Sequence, residues 1–247
     1  MNSKQLTQDQ LDSLNNLYSK GKINETIKLI DTLIIENPNE SILFNLLGAC
    51  QSAQEELESA LQSFKKAVSL NPEYTEAHFN LGGIYNQLNQ LNKSINSLNK
   101  TLAINPDFFE ANNALGKIYQ EIGKHSEAIT EFTKVLKHNS DSAEVHYNLA
   151  FSYNYIGKKN LAIEHYEKCI KLNPNSIVAQ NNLGKIYQNT GKHNLAATYF
   201  EKVIELDPTF AEAYNNLGSV LHTLGQLDDA IDYYETSISL TPDSITL

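Results

Sequence analysis

Histidine and cysteine are the residues of this chain best suited to ligate a metal or to transfer protons. Four histidines form two pairs with an interval of 68 residues: His78 with His146, and His125 with His193. Cys50 and Cys169 lie far apart, and neither belongs to a CxxC motif. A metal site or a catalytic pair needs its groups close together in space. These intervals must therefore be judged against the elements that position the residues.

The prolines of the chain fall on one period of 34 residues. All six are separated by 34 residues or by 68: Pro38, Pro72, Pro106, Pro174, Pro208 and Pro242. Ser140 occupies the one vacant place in this series. With proline as the thirty-second residue, the chain divides into seven repeats: 7–40, 41–74, 75–108, 109–142, 143–176, 177–210 and 211–244. A period of this length is typical of a stacked helical array.

Each repeat contains two runs of apolar residues with steps of three and four. In the fourth repeat, Leu115 and Ile118 belong to the first run, and Ala128 and Phe132 belong to the second. This spacing predicts two amphipathic helices. Glycine separates the runs in several repeats and favours a turn, because it takes a positive φ at little cost: Gly123, Gly157, Gly191 and Gly225. The sequence therefore predicts two antiparallel helices per repeat.

The columns of the repeat resemble the tetratricopeptide repeat. The eighth and twentieth places are small, the eleventh is mostly Tyr, the twenty-fourth is large and often aromatic, and the thirty-second is Pro. The first repeat departs from this pattern with Leu14 and Thr26 at its two small places, and we interpret it as a degenerate N-terminal cap. The resemblance implies an all-α fold, a right-handed superhelical α-solenoid of about seven repeats. It also implies that residues 1–247 form a single domain.

The repeat separates the histidines instead of bringing them together. Helices stack about 8 to 10 Å apart, so equivalent residues two repeats away would lie roughly 20 Å from each other, too far for one metal ion. No HExxH, nucleophile-elbow, Walker or dinucleotide motif is present, and the Leu81–Gly83 segment falls within a predicted helix. We expect both cysteines in the core. The chain is predicted to be no enzyme and to need no cofactor or metal.

The charge of the chain argues against two classes of partner. The formal net charge is −10, and all 19 basic residues are lysines. They are scattered, whereas a nucleic-acid surface needs a basic stripe. No stretch approaches the roughly 18 apolar residues of a membrane span, and the start lacks the apolar core of a signal peptide. We therefore expect no nucleic acid, no membrane insertion and a cytoplasmic location.

In the tetratricopeptide family the first helices line a concave face, which commonly receives an extended peptide or a partner helix. The resemblance places the second, fifth, sixth, ninth, twelfth and thirteenth residues of a repeat on that face. Asparagine recurs there, and it forms the centre of the predicted site: Asn80, Asn113, Asn148, Asn182 and Asn216. An amide can pair with any peptide backbone unit, since it both donates and accepts. This series resembles the ladder in the superhelical repeats of the O-linked N-acetylglucosamine transferase group.

Two observations limit the asparagine ladder. Leu46 and Ala114 interrupt it, and solvated asparagines favoured by base composition are an alternative explanation. Charged and aromatic residues complete the predicted peptide-binding set: Glu110, Glu144, Lys117, Lys185 and Tyr155. The groove leans acidic, which favours a segment bearing Lys or Arg. The clustered Lys and Arg of family members that clamp the C-terminal carboxylate of chaperones are absent.

Three functional hypotheses remain open from the sequence. The leading one is a protein interaction scaffold or adaptor that holds an extended segment of a partner in its groove. The second is the substrate-docking arm of a larger enzyme, such as a glycosyltransferase or sulfotransferase. The third is an architectural element of a secretion, pilus or cell-division assembly. The last helix is predicted to expose apolar residues such as Ile231 and Ile238, which favours a fragment of a longer protein or self-association.

Overall fold

The computed structural model describes residues 6–241, and this range contains fourteen α-helices and no β-strand. The helices are α1 Gln8–Ser19, α2 Ile23–Glu36, α3 Ser41–Ala53, α4 Leu57–Leu70, α5 Thr75–Gln87, α6 Leu91–Ile104, α7 Phe109–Glu121, α8 His125–His138, α9 Ala143–Tyr155, α10 Lys159–Leu172, α11 Ile177–Asn189, α12 His193–Leu206, α13 Ala211–Thr223 and α14 Leu227–Leu240. Every predicted repeat holds two helices. The all-α helical-repeat fold is thus confirmed.

The turns between paired helices place one residue in the left-handed region. Five of the seven turns use glycine, with φ between 70° and 80°: Gly21, Gly123, Gly157, Gly191 and Gly225. Glu55 and Asn89 take the same place with φ of 62° and 55°. A side chain in this region costs about 1–2 kcal/mol, less for Asn, so the Glu55 turn is strained where the glycine turns are not.

The contacts divide the chain into two compact halves, Met1–Ile122 and Gly123–Leu247. The first half contains α1 to α7, and the second contains α8 to α14. Within each half the helices pack in chain order, with the two helices of a repeat antiparallel and paired. The single domain and the right-handed superhelix, which the resemblance implies, stay predictions.

A small residue at the eighth place of a repeat lets its two helices pack closely. A Cβ added at Gly48 would lie 2.8 Å from the Phe64 ring, and one added at Gly184 would lie 2.7 Å from the Phe200 ring. Phe64 and Phe200 are 2% and 0% exposed, so these rings fill the core against bare backbone. The degenerate first repeat keeps a closed core, since Leu14 is fully buried.

A side chain at the fourth place of a repeat ties it to the end of the preceding repeat. Four such side chains lie 2.7 to 3.1 Å from the backbone carbonyl oxygen six residues earlier: His78 on Pro72, His146 on Ser140, Gln180 on Pro174 and Tyr214 on Pro208. A carbonyl only accepts, so the imidazole Nε2 of each histidine carries the proton. Three different residue types thus make the same bond. A sequence pattern based on residue type therefore does not predict it.

Gly82 and Gly83 are neighbours in α5 with opposite surroundings, and we expect their alanine variants to differ in stability. A Cβ at Gly82 would lie 2.9 Å from Leu98, whereas one at Gly83 would meet nothing within 4 Å. Both substitutions gain about 1 kcal/mol of helix propensity. Gly83→Ala should therefore raise the free energy of unfolding. The free energy of unfolding of Gly82→Ala should be about 1–3 kcal/mol lower than that of Gly83→Ala. Urea unfolding followed by circular dichroism measures both, and equal stabilities would contradict the packing role of Gly82.

Candidate functional site

The first helices of consecutive repeats lie side by side within each half. In the first half α3 contacts α5 and α5 contacts α7, and in the second half α11 contacts α13. We call the surface formed by the second, fifth, sixth, ninth, twelfth and thirteenth residues of these helices the first-helix face. All the predicted site residues lie on first helices: α5, α7, α9, α11 and α13.

The asparagines at the sixth place make a regular set of hydrogen bonds between neighbouring first helices. Each amide Nδ2 donates to the residue 35 positions earlier, which is the fifth residue of the preceding repeat: Asn80 to Asn45 Oδ1 at 3.0 Å, Asn182 to the Tyr147 hydroxyl at 3.4 Å and Asn216 to Asn181 Oδ1 at 3.3 Å. An amide has two N–H groups and an oxygen, so one such bond fixes its orientation without exhausting its capacity. The recurrence of asparagine therefore has a structural cause, whether or not a peptide binds.

Four of the predicted residues line two adjoining open cavities on the first-helix face of the first half. Glu110, Asn113 and Lys117 line the larger cavity, of about 320 Å³. Asn80 lines the smaller one, of about 240 Å³. The two cavities share Phe79 and Gly83. Residues of α5 and α7 that the sequence pattern assigned to one face thus line adjoining cavities.

In the second half, Lys185 is engaged in an ion pair. Its Nζ lies 2.9 Å from Oε1 of Glu212, and Asn181 Nδ2 donates to the same oxygen at 3.2 Å. Burial acts to raise the pKa of Glu212, but the hydrogen bonds of Lys185 and Asn181 outweigh it and hold the pKa below its usual value. Glu212 occupies the second place of its repeat, so a cation and an anion of this face already satisfy each other.

The three remaining predicted residues lie on α9. Asn148 is half-buried and Glu144 is exposed in the first turn of the helix. Tyr155 is 68% exposed, yet its ring stacks on the buried His125 with centroids 3.8 Å apart. Tyr155 has the largest exposed fraction among the exposed Phe and Tyr residues of the described range.

A cavity of the second half, of about 390 Å³, contains none of the predicted site residues. Its wall includes His146 and His165, whose Nδ1 atoms lie 2.9 Å apart. Because His146 Nε2 donates to a carbonyl, His146 Nδ1 accepts and His165 Nδ1 donates. Burial, and then the proximity of His146, lowers the pKa of His165 to about 4.

A comparison of histidines at the same place in different repeats does not reveal this pair, because its two members occupy different places. The two residues stand at the fourth and twenty-third places of one repeat, 19 positions apart. The same two places in the last repeat hold Tyr214 and Tyr233, whose ring centroids are 6.1 Å apart. Side chains at the fourth and twenty-third places of a repeat therefore face each other. Comparing these two places in the sequence would have revealed the histidine pair.

Among residues 6–241 no three His, Cys, Asp or Glu side chains are grouped as metal ligands. Both cysteines are buried, as predicted, and burial raises the pKa of Cys50 to about 11, which disfavours the reactive thiolate. No helix in the described range has the length and hydropathy of a membrane span.

The last described helix exposes apolar side chains. Leu227, Ile231 and Ile238 of α14 are each more than half exposed. Tyr234 and Leu240 of the same helix are half-buried. Pro242 and the residues after it lie outside the described range. Self-association through this helix stays a prediction, as does the absence of nucleic-acid binding.

The chain belongs to the tetratricopeptide repeat family. Models described as tetratricopeptide repeat match residues 109–141, 143–176 and 175–243, and a model described as TPR repeat matches 53–87 and 82–123. Together they extend from residue 53 to residue 243. The repeats form a scaffold of the kind that mediates protein–protein interaction.

The relatives and solved structures agree with this assignment. The peroxisomal targeting signal receptor of Saccharomyces cerevisiae is 31% identical over 64 residues, which is 26% of this chain and 10% of the receptor. The chain therefore matches only about a tenth of that relative's length. The crystal structure of MamA is 28% identical with a TM-score of 0.64, covering 68% of this chain and 98% of MamA. The C-terminal part of a TPR repeat-containing protein from Cytophaga hutchinsonii, 17% identical with a TM-score of 0.76, covers 94% and 95% and shares the fold.

Proposed function

We propose that this chain is a protein interaction scaffold or adaptor that binds an extended segment of a partner protein along its first-helix face. One observation carries the proposal: four residues predicted from the sequence line two adjoining cavities on that face in the first half. Adjoining cavities with amides, charges and apolar walls have the composition of a peptide site. The name of the yeast relative, a receptor for a targeting signal, is that of a binding protein and agrees with this function.

The amides supply contacts that do not depend on the sequence of the partner. Asn80 is already oriented by its bond to Asn45, so binding need not immobilise it. Asn113 lines the larger cavity beside it. An extended chain advances about 3.3 Å per residue, so amides one helix spacing of roughly 10 Å apart would meet every third peptide unit. Selectivity then comes from the cavities and charges between them.

The alternative of an enzyme's substrate-docking arm would use the same face. In that case the residues described here bind and position a protein substrate, and the chemistry belongs to another part of the protein. The coding sequence downstream of Leu247 distinguishes the two, since a catalytic domain there would establish the arm. We place the protein in the cytoplasm as part of the same proposal.

The proposal predicts that reversing one charge on the face weakens peptide binding. A display library of random peptides is selected on the full chain, and enriched peptides are synthesised for fluorescence anisotropy. Glu110 is exposed and lines the larger cavity. Glu110→Lys should weaken the affinity by about tenfold, or about 1.4 kcal/mol. Glu58→Lys, the same change at an exposed position on the second helix α4, should have no effect.

Two results would oppose this function. Failure to enrich any peptide on the folded chain would remove the groove as a peptide site. Peptides that bind wild type and Glu110→Lys equally would place binding on another surface. Circular dichroism of both variants establishes that each remains folded.

A further inference from the structure

We infer that the larger of the two adjoining cavities on the first-helix face is a subsite for one apolar side chain, aliphatic or aromatic, of the bound segment. The inference rests on the proposed function and specifies its ligand. The subsite arises because Gly83 leaves the ninth place of its repeat without a side chain. In other repeats this place carries larger groups, such as Lys117, Phe151 and Lys185.

Packing does not require a glycine at position 83. A Cβ added there would meet nothing within 4 Å, whereas one added at Gly82 would lie 2.9 Å from Leu98. A glycine inside a helix costs about 1 kcal/mol relative to alanine. Gly83 sits in the middle of α5 and bears this cost with no neighbour that demands it. What its missing side chain provides is open space, shared by the two cavities.

The interruption of the asparagine ladder falls at the same cavity. The fifth and sixth places that hold hydrogen-bonded pairs elsewhere are here Phe79 and Ala114, 35 positions apart, and both line the cavity. Phe79 is held in place by Phe108, with ring centroids 4.9 Å apart. Leu98 and Ile118, 1% and 3% exposed, complete the apolar lining. The hydrogen-bonded pair found elsewhere in the ladder is therefore replaced here by an apolar surface.

The volume and the charges define what the subsite takes. The cavity measures about 320 Å³, and an apolar cavity of about 150 Å³ already holds a benzene molecule. A side chain of the size of leucine, methionine or phenylalanine therefore fits. Glu110 and Lys117 lie at its edge, and Glu76 adds an exposed carboxylate on α5. With the net charge of −10, this disfavours an acidic segment and favours an apolar anchor with Lys or Arg nearby.

The test is a substitution in the protein that places a larger side chain in the subsite. Peptides enriched on the full chain from a random display library serve as the probe. Gly83→Leu places a side chain in open space, so the thermal midpoint should stay equal or rise while binding weakens at least about tenfold. Gly83→Ala should weaken binding less. Asn99→Leu, an exposed position on the second helix α6, is the matched control and should bind as wild type does.

A second arm changes the peptide. Replacing its apolar anchor with serine should weaken binding to wild type by a similar factor, but should have little further effect on Gly83→Leu, because both changes remove one interaction. If Gly83→Leu is poorly folded, Ala114→Leu fills the same cavity from α7. Peptides that lose affinity with Glu110→Lys but bind the filled variants normally would overturn the subsite and leave the proposed function standing. If no peptide is enriched, the proposed function fails and the subsite fails with it.

Discussion

Replacing Phe200 with alanine is expected to lower the free energy of unfolding of the second half by about 3–5 kcal/mol. The ring is fully buried in the core of that half. The loss should lie toward the upper end of this range, because Gly184 faces the ring. The ring fills the space that a side chain at position 184 would otherwise occupy. A backbone cannot move into the cavity as a flexible side chain would. The cavity therefore stays open and its lining loses contacts.

Urea unfolding of the full chain, followed by circular dichroism, measures this loss. Phe151→Ala is the control, since it removes the same group from a position that is 40% exposed, and it should cost about 1 kcal/mol or less. Similar costs for the two variants would mean that the Phe200 ring is not the packed element described here. Phe200→Leu should retain much of the stability, because Leu98 occupies the equivalent column beside Gly82.

Acidification is expected to destabilise the second half through His165. Burial and then His146 lower the pKa of His165 from 6.5 to about 4, so the unfolded chain takes up this proton before the folded one does. The contribution is fully present above pH 6.5 and is lost as the pH falls toward 4. By linkage the loss is up to about 3 kcal/mol. His165→Gln removes the titration and should show a correspondingly smaller fall between these limits.

The charges around His165 define the control. His146 and Tyr153 face it from α9, and Glu164 and Lys168 lie near it on its own helix. Lys168 and Glu164 form an ion pair with 2.7 Å between Nζ and Oε1, so their opposing influences on His165 partly cancel. His222→Gln, on α13 and exposed, should keep the wild-type fall in stability. Equal pH dependence in His165→Gln and wild type would show that other groups dominate.

The fold was predictable because its determinants are periodic. Proline at the thirty-second place, small residues at the eighth and twentieth, and glycine in the turn each recur often enough to define the frame. The turns at Glu55 and Asn89 fall outside the glycine pattern, since a residue with a side chain takes the left-handed conformation there.

The site was predictable only in part, for a different reason. A column assigns a residue to a face but does not say what that residue touches. Asn182 and Asn216 proved to be bonded to neighbouring helices, and Lys185 to Glu212. The sequence pattern assigns Gly83 only to a helix, because the effect of a missing side chain depends on the space around it. Cavities arise where columns are interrupted, and one sequence does not show which interruption matters.

The amide bonds between residues 35 positions apart have a consequence for cooperativity. In a stacked array the free energy is approximately a sum of terms within each repeat and terms between neighbours. Asn80, Asn182 and Asn216 act between repeats, so they add to the neighbour terms and leave the stability of a single repeat nearly unchanged. Stronger neighbour terms make partly unfolded forms rarer, because a boundary between folded and unfolded repeats at any of these three places forfeits one of these bonds. The asparagines therefore help adjacent repeats to open together and keep frayed intermediates scarce.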